Sequence, residues 1–178
     1  MIEEYVIVSK FVQYSNLVHL KICYDIEICQ MFFLCYTLNM EKSCGIILYT
    51  NIKGKRHYLL IQDKKGRIGF PKGHIEEGET EKECALRETW EETSLGPSII
   101  PHFYKSVQYR LPNGTMKRVA YYLGYFEDHL PAHQDGFEHF DYLLLTYKEA
   151  LAVLKYKNNK DVLIEAESFL NQGWSFSL

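Results

Sequence analysis

Apolar and polar positions break the chain into short runs with sharp boundaries. Residues 44–49 (Cys-Gly-Ile-Ile-Leu-Tyr) are almost continuously apolar, which predicts a strand buried on both faces. A polar, glycine-containing turn at 51–55 leads to a second strand at 57–62. The turn Asp63-Lys64-Lys65-Gly66 closes that segment, and the alternation is that of hairpins. A short strand is expected at 68–70, running into a loop at Pro71-Lys72-Gly73. Over 81–94 the pattern becomes helical. Thr80 is a good N-cap, Glu83 completes a capping box three residues on, and Gly96-Pro97 is expected to end the helix. Strands follow at 99–110 and 117–126, joined by Pro112-Asn113-Gly114, whose Asn-Gly pair favours a tight turn. Residues 142–145 form a further strand. The segments 148–154 and 162–170 read as two helices, or as one broken at Asn158-Asn159. Strands on both sides of a central helix, with helices at the end, predict a layered α/β or α+β fold.

Residues 1–39 depart from this layout. They contain no Gly or Pro and hold three of the five cysteines. Their longest uncharged stretch lies between Glu27 and Glu41 and is too short to span a bilayer. The start, Met1-Ile2-Glu3-Glu4, lacks the positive charge of a secretory signal. Two readings stay open. Residues 1–40 are an extension, or the product of an upstream start codon, ahead of a functional domain at 41–178; or they are elements packed on that domain.

Length suits one domain with a sizeable core. The five cysteines, Cys23, Cys29, Cys35, Cys44 and Cys84, are odd in number and lack Cys-x-x-Cys spacing. They make a poor disulfide framework and a poor zinc site, so reduced thiols in the cytoplasm are expected. A net charge of −3 disfavours broad nucleic-acid binding, which needs a clustered positive surface. It leaves room for a small phosphorylated ligand. No membrane partner is expected, and the chain is expected to act as a monomer. The 14 Tyr and 10 Phe offer both core rings and surfaces on which a base can stack.

The chemistry concentrates between Gly73 and Leu95. Glu88, Glu91 and Glu92 are spaced i+3 and i+4, which places them within about one third of a helix circumference, with Leu86 and Trp90 pointing elsewhere. Three like charges so placed repel, and a hard divalent cation converts that repulsion into attraction. Oxygen-only donors suit Mg²⁺, or Mn²⁺, rather than zinc. A solvated acidic helix face has the same spacing. Three additions favour a site: Arg87 can orient a carboxylate, the loop Pro71-Lys72-Gly73-His74 can bring backbone close to a ligand, and Glu79 stands at the helix entrance.

The segment resembles the Nudix box, G-x5-E-x7-R-E-U-x-E-E-x-G-U with U bulky and apolar. Gly73, Glu79, Arg87, Glu88, Glu91, Glu92 and Leu95 match at the correct offsets. Thr89 stands where U is usual, and Ser94 replaces a glycine whose role Gly96 is expected to assume. The resemblance implies a three-layer α/β/α sandwich with a mixed central sheet. It further implies a Mg²⁺-dependent hydrolase of nucleoside diphosphate-X linkages. Glu88, Glu91 and Glu92 would be metal ligands together with the Gly73 carbonyl, Arg87 would orient the glutamates, and Glu79 would fix the loop.

Beyond the box, Cys44-Gly45-Ile46-Ile47-Leu48, Phe70-Pro71-Lys72-Gly73-His74 and Glu138-His139-Phe140-Asp141-Tyr142 resemble the asymmetric diadenosine tetraphosphate hydrolases, which yield ATP and AMP. That likeness implies Glu138 as a further metal ligand or general base and Tyr142 as a base-stacking residue. Tyr109 and Tyr122 are further stacking candidates, and Lys72, His74, His133 and His139 candidates for phosphate contacts. Lys105, Arg110, Lys117 and Arg118 flank the expected hairpin and can receive a polyphosphate chain. A pyrophosphohydrolase for RNA 5′ ends, nucleotide sugars or inositol pyrophosphates, and a non-catalytic nucleotide-binding domain, are the alternatives.

Overall fold

Seven strands share one mixed sheet in the computed structural model, which describes residues 40–127, 130–132 and 136–172. The expected extension at 1–39 and His133 lie outside the described residues. The strands are β1 (Met40–Ile52), β2 (Lys55–Gln62), β3 (Ile68–Gly69), β4 (Lys72–His74), β5 (Ser98–Arg110), β6 (Met116–Tyr125) and β7 (Asp141–Thr146). The helices are α1 (Glu81–Thr93), α2 (Tyr147–Val153) and α3 (Lys157–Asn171). The path through the sheet is β3-β2-β1-β6-β5, with β4 added to β1 and β7 to β2.

The apolar run in β1 is continuous because both faces of the strand are covered. Cys44, Ile46 and Leu48 join Leu59, Ala120, Cys84 and Ala85 under α1. Ile47 joins Tyr58, Leu60, Val119 and Tyr121 on the opposite face, where Ala150, Val162, Leu163 and Ala166 supply α2 and α3. This period-two partition produces the expected three layers.

Two local expectations change, at β4 and at the end of α1, and two are made specific. The loop at Pro71-Lys72-Gly73 contains a short strand, β4, registered on β1 with Ser43 opposite His74, Cys44 opposite Gly73 and Gly45 opposite Lys72. The tight turn expected at Pro112-Asn113-Gly114 joins β5 and β6. Leu111 accepts from Gly114 N–H at 2.9 Å and donates to Thr115 at 2.8 Å, with Gly114 at φ 89°. That is a three-residue loop in which Pro112 starts the turn and Gly114 takes the left-handed position. The helix α1 ends on Ser94 itself, at φ 60°; Gly96 has no positive φ and does not assume the glycine role. Finally, α2 and α3 are separate helices that divide before Lys157, so Asn158 and Asn159 lie in the first turn of α3.

Candidate active site

The start of α1 is built as its sequence implies. Glu83 N–H donates to the Thr80 hydroxyl at 3.3 Å, and Thr80 N–H donates back to the Glu83 carboxylate at 2.9 Å. The bend before it is tied by Glu76 N–H to Glu79 Oε2 at 3.1 Å. These contacts set the rotation of α1, and rotation decides which side chains face β4.

Gly73 is the point of closest approach. A Cβ built there would lie 1.9 Å from the Glu88 carboxylate, so the carboxylate occupies space that any other residue would fill. One turn on, Glu92 Oε2 accepts the Lys72 backbone N–H at 2.8 Å. The register of β4 on β1 therefore docks this short strand against two of the three spaced glutamates.

Arg87 is the hub. Its Nε and Nη2 donate to the two oxygens of Glu79 at 2.8 and 3.0 Å, a bidentate pair. Its Nη1 donates to Glu88 at 2.9 Å and Glu91 at 3.2 Å, and Nη2 reaches the His74 carbonyl at 2.9 Å. One guanidinium thus gathers three carboxylates and one backbone oxygen. The hydrogen bonds from Arg87 hold the Glu79 carboxyl below its ordinary range against the opposing effect of burial. Burial pushes the Glu88 carboxyl up, against the pull of Arg87. Glu92 is more deeply desolvated, and burial raises it despite the Lys72 N–H and ammonium; the charges of Glu88 and Glu138 add to that rise. Burial lowers the Lys72 ammonium, and the positive charge of Lys117 lowers it further.

This cluster fits a hard divalent ion. Its donors are carboxylate oxygens gathered against the Gly73 backbone, the glutamate charges outnumber the one arginine, and the raised Glu92 carboxyl is what an added cation would relieve. Among the described residues the His, Cys, Asp and Glu side chains do not already converge as a set of three or more metal ligands, because Arg87 holds Glu88 and Glu91.

The remaining candidates separate by location. Of the four cations flanking the hairpin, Lys117 alone is buried, at 8% exposure, and contacts His74 and Glu41. Lys105 pairs with Glu165 at 2.6 Å, Arg110 donates to the Gly114 carbonyl, and Arg118 pairs with Glu81. Tyr109 lies across the β5–β6 ladder from Lys117 and is partly buried. Tyr122 packs edge-on to Tyr104 at 5.6 Å, near Glu81 at the opposite end of α1 from Glu92. Tyr142 is anchored by its hydroxyl, 2.9 Å from both the Glu92 and the Ala132 carbonyl. Glu138 and His139 are exposed, with Glu138 within electrostatic reach of Glu92. Trp90 is half exposed and packs edge-on to Phe137, whereas Leu86 turns into the core beneath α1.

Two neighbours of the site carry no motif. Glu41 reaches it through the β1–β4 register, 33 positions from His74. Cys84 directs its thiol at the Gly73 carbonyl, 3.7 Å away. Neither has a spacing that would single it out.

The NUDIX domain model matches residues 41–166. The chain belongs to the Nudix family. Among curated Nudix relatives, the mouse bis(5'-nucleosyl)-tetraphosphatase [asymmetrical] is 32% identical over 145 residues, covering 72% of this chain and 95% of the relative. A solved Caenorhabditis elegans Ap4A hydrolase in a binary complex superposes with a TM-score of 0.69 at 25% identity, over 75% of this chain and 99% of that one. The NUDIX domain of Shewanella oneidensis NrtR, solved with ADP ribose, shares the fold with a TM-score of 0.61 at 19% identity, over 72% of this chain and 87% of that one. The Nudix assignment makes this chain a pyrophosphohydrolase, in a family that generally uses divalent metal ions. None of its described helices is long and apolar enough to cross a membrane.

Proposed function

We propose that this Nudix enzyme cleaves diadenosine tetraphosphate asymmetrically to ATP and AMP. The carrying observation is the joint placement of the Arg87-held glutamates and two lysines around one short strand. Lys72 docks on Glu92 through its backbone, and its ammonium lies within electrostatic reach of Lys117. A polyphosphate needs both an acidic side that takes cations and a basic side that takes phosphate. The near full-length match to asymmetric tetraphosphatases supports the choice of substrate.

Glu88, Glu91 and Glu92, with the Gly73 carbonyl and Glu138, would hold Mg²⁺, or Mn²⁺ in its place. Bound there, the ion supplies neutralisation of phosphate charge and acidifies water. The chain supplies the rest. Arg87 and Glu79 lock the glutamates and the loop in one geometry, which pre-organises the site. A carboxylate of the cluster, Glu138 included, takes the proton from the attacking water, a role worth about 10²–10⁴-fold. Lys72, Lys117 and His74 hold the phosphates. Tyr109, in register with Lys117, offers a ring to one adenine, and Tyr142 offers a partly exposed ring whose hydroxyl is already fixed. Stacking contributes about 1–3 kcal/mol per base. Tyr122, among Tyr104 and Glu81, is remote from these groups and packs instead. The functional unit runs from residue 41, as the span of the family match supports; a chain begun at Met40 that lost activity would refute that boundary.

The test is product analysis with Mg²⁺ and a panel of dinucleoside polyphosphates, nucleotide sugars and 5′-triphosphate RNA. ATP plus AMP from diadenosine tetraphosphate is expected. ADP alone would exclude asymmetric cleavage, and preference for another member of the panel would reassign the substrate.

A further inference from the structure

Three charged or polar side chains meet beside the carboxylate cluster and are not absorbed by it. The Lys117 ammonium is 3.5 Å from Glu41 Oε2 and 3.4 Å from His74 Nε2, and Glu41 Oε2 is 3.3 Å from the same imidazole nitrogen. All three distances exceed the roughly 2.7–2.9 Å of a strong charge-assisted hydrogen bond. A single imidazole nitrogen cannot donate to the carboxylate and accept from the ammonium at once. Lys117 is buried, so its charge needs a partner, yet among the described residues it has only these long contacts. Glu41 is more open, at 35% side-chain exposure, and can swing away at little cost.

The surroundings favour an incoming anion. Glu41 and Ser43 alternate onto the same face of β1, and β4 places His74 opposite Ser43 in register. Ser43 is 2% exposed, and its hydroxyl has no hydrogen-bond partner among the described residues. Lys72 adds a second positive charge that Lys117 repels. The Lys117 ammonium is thus answered by one carboxylate held at long range, whereas Lys72 has Glu92 and Glu88 near it.

We propose that Glu41 is a displaceable counter-ion, competing with the phosphate oxygens of substrate and product for the Lys117 ammonium. It thereby tunes how tightly a polyphosphate is held and how readily a phosphorylated product leaves. The inference rests on the reading that the polyphosphate lies along Lys72 and Lys117. A phosphate oxygen that replaces Glu41 can shorten the contact to Lys117, while Glu41 turns to solvent.

The experiment is titration calorimetry of inorganic pyrophosphate into the full chain without divalent cations, paired with product inhibition by ATP. Glu41→Gln is expected to tighten pyrophosphate binding on the order of tenfold, the scale of one partly desolvated charge. The ATP inhibition constant falls in parallel. Glu41→Asp, one methylene shorter, gives a smaller gain and serves if the amide variant unfolds early in a thermal scan. In a Lys117→Gln background the Glu41→Gln gain disappears, and Glu165→Gln, which removes equal charge elsewhere, changes nothing. Unchanged or weaker pyrophosphate binding in Glu41→Gln overturns the proposal, as does an equal gain in the Lys117→Gln background. Binding needs no turnover, so the two readings fail separately. A chain that binds pyrophosphate in this pattern but leaves dinucleoside tetraphosphates intact refutes the substrate. A chain that cleaves them with no response at Glu41 refutes only the counter-ion.

Discussion

Arg56 and Arg87 each tie a helix to the sheet, and the two are built to opposite ends. On the α3 side Arg56 donates to Glu167 at 2.7 Å, Tyr58 donates to the same carboxylate at 2.5 Å, and Asn171 serves its other oxygen at 3.2 Å. One cation meets one anion, and both carboxylate oxygens are paired. On the α1 side Arg87 faces Glu79, Glu88 and Glu91, with Glu76 at 3.8 Å and Glu92 desolvated nearby. The charges of the Arg56 network cancel, although the Arg56 Nε has no hydrogen-bond partner among the described residues. An unbalanced one stores repulsion that only an external charge removes, which distinguishes a clamp from a site.

The sharpest way to break this contrast is Glu92→Gln. Activity should fall at least about 10²-fold if Glu92 takes part in the chemistry, while thermal stability holds or rises because one repelling charge is gone. Unchanged turnover, measured as kcat, would remove Glu92 from the mechanism. Next in size, Mg²⁺ or Mn²⁺ should raise the melting temperature, by the equivalent of about 2.7 kcal/mol at a hundredfold excess over Kd. The rise should be blunted in Glu92→Gln and retained in Glu167→Gln.

The balanced side answers differently. Glu167→Gln should cost about 1–3 kcal/mol at neutral pH in a denaturant titration and leave kcat unchanged. Burial alone would raise the Glu167 carboxyl, but Tyr58 and Arg56 outweigh it and hold it below its ordinary value. A lowered folded-state value means stability that is present above the unfolded value and lost as pH falls through the folded one. The difference between wild type and Glu167→Gln should therefore shrink in acid. The smallest effect is expected at Thr89, fully buried in α1 with its hydroxyl lacking a partner among the described residues. Thr89→Val, which restores the apolar side chain usual at that place in the box, should stabilise by about 1 kcal/mol in the same titration.

Much of α1 was legible because its signals are local. The Thr80–Glu83 box, the three glutamates on one stripe and the arginine beside them all lie within one helix and its cap. The strands of the sheet were legible from runs and turns. What escaped depends on register. Nothing in Pro71-Lys72-Gly73 announces that it pairs with β1, and that pairing carries His74 to Glu41. Four cations near a hairpin look alike until strand alternation and partners on other elements, Glu165 and Glu81 among them, claim three. Ser94 illustrates a third limit. A serine at φ 60° is disfavoured locally, and its hydroxyl contact to the Ala132 carbonyl at 2.9 Å is invisible to spacing.

The packing of Gly73 bears on which sequences this chain can explore. In a saturation library every substitution at codon 73 would push the Glu88 carboxylate from its place beside Arg87, so selection for turnover, rather than for folding, should favour glycine. Gly78, at φ 81° with open space where a Cβ would go, asks only for a left-handed backbone, and asparagine or aspartate should survive there. Two glycines five positions apart would thus leave different mutational footprints, one enforced by volume and the other by torsion.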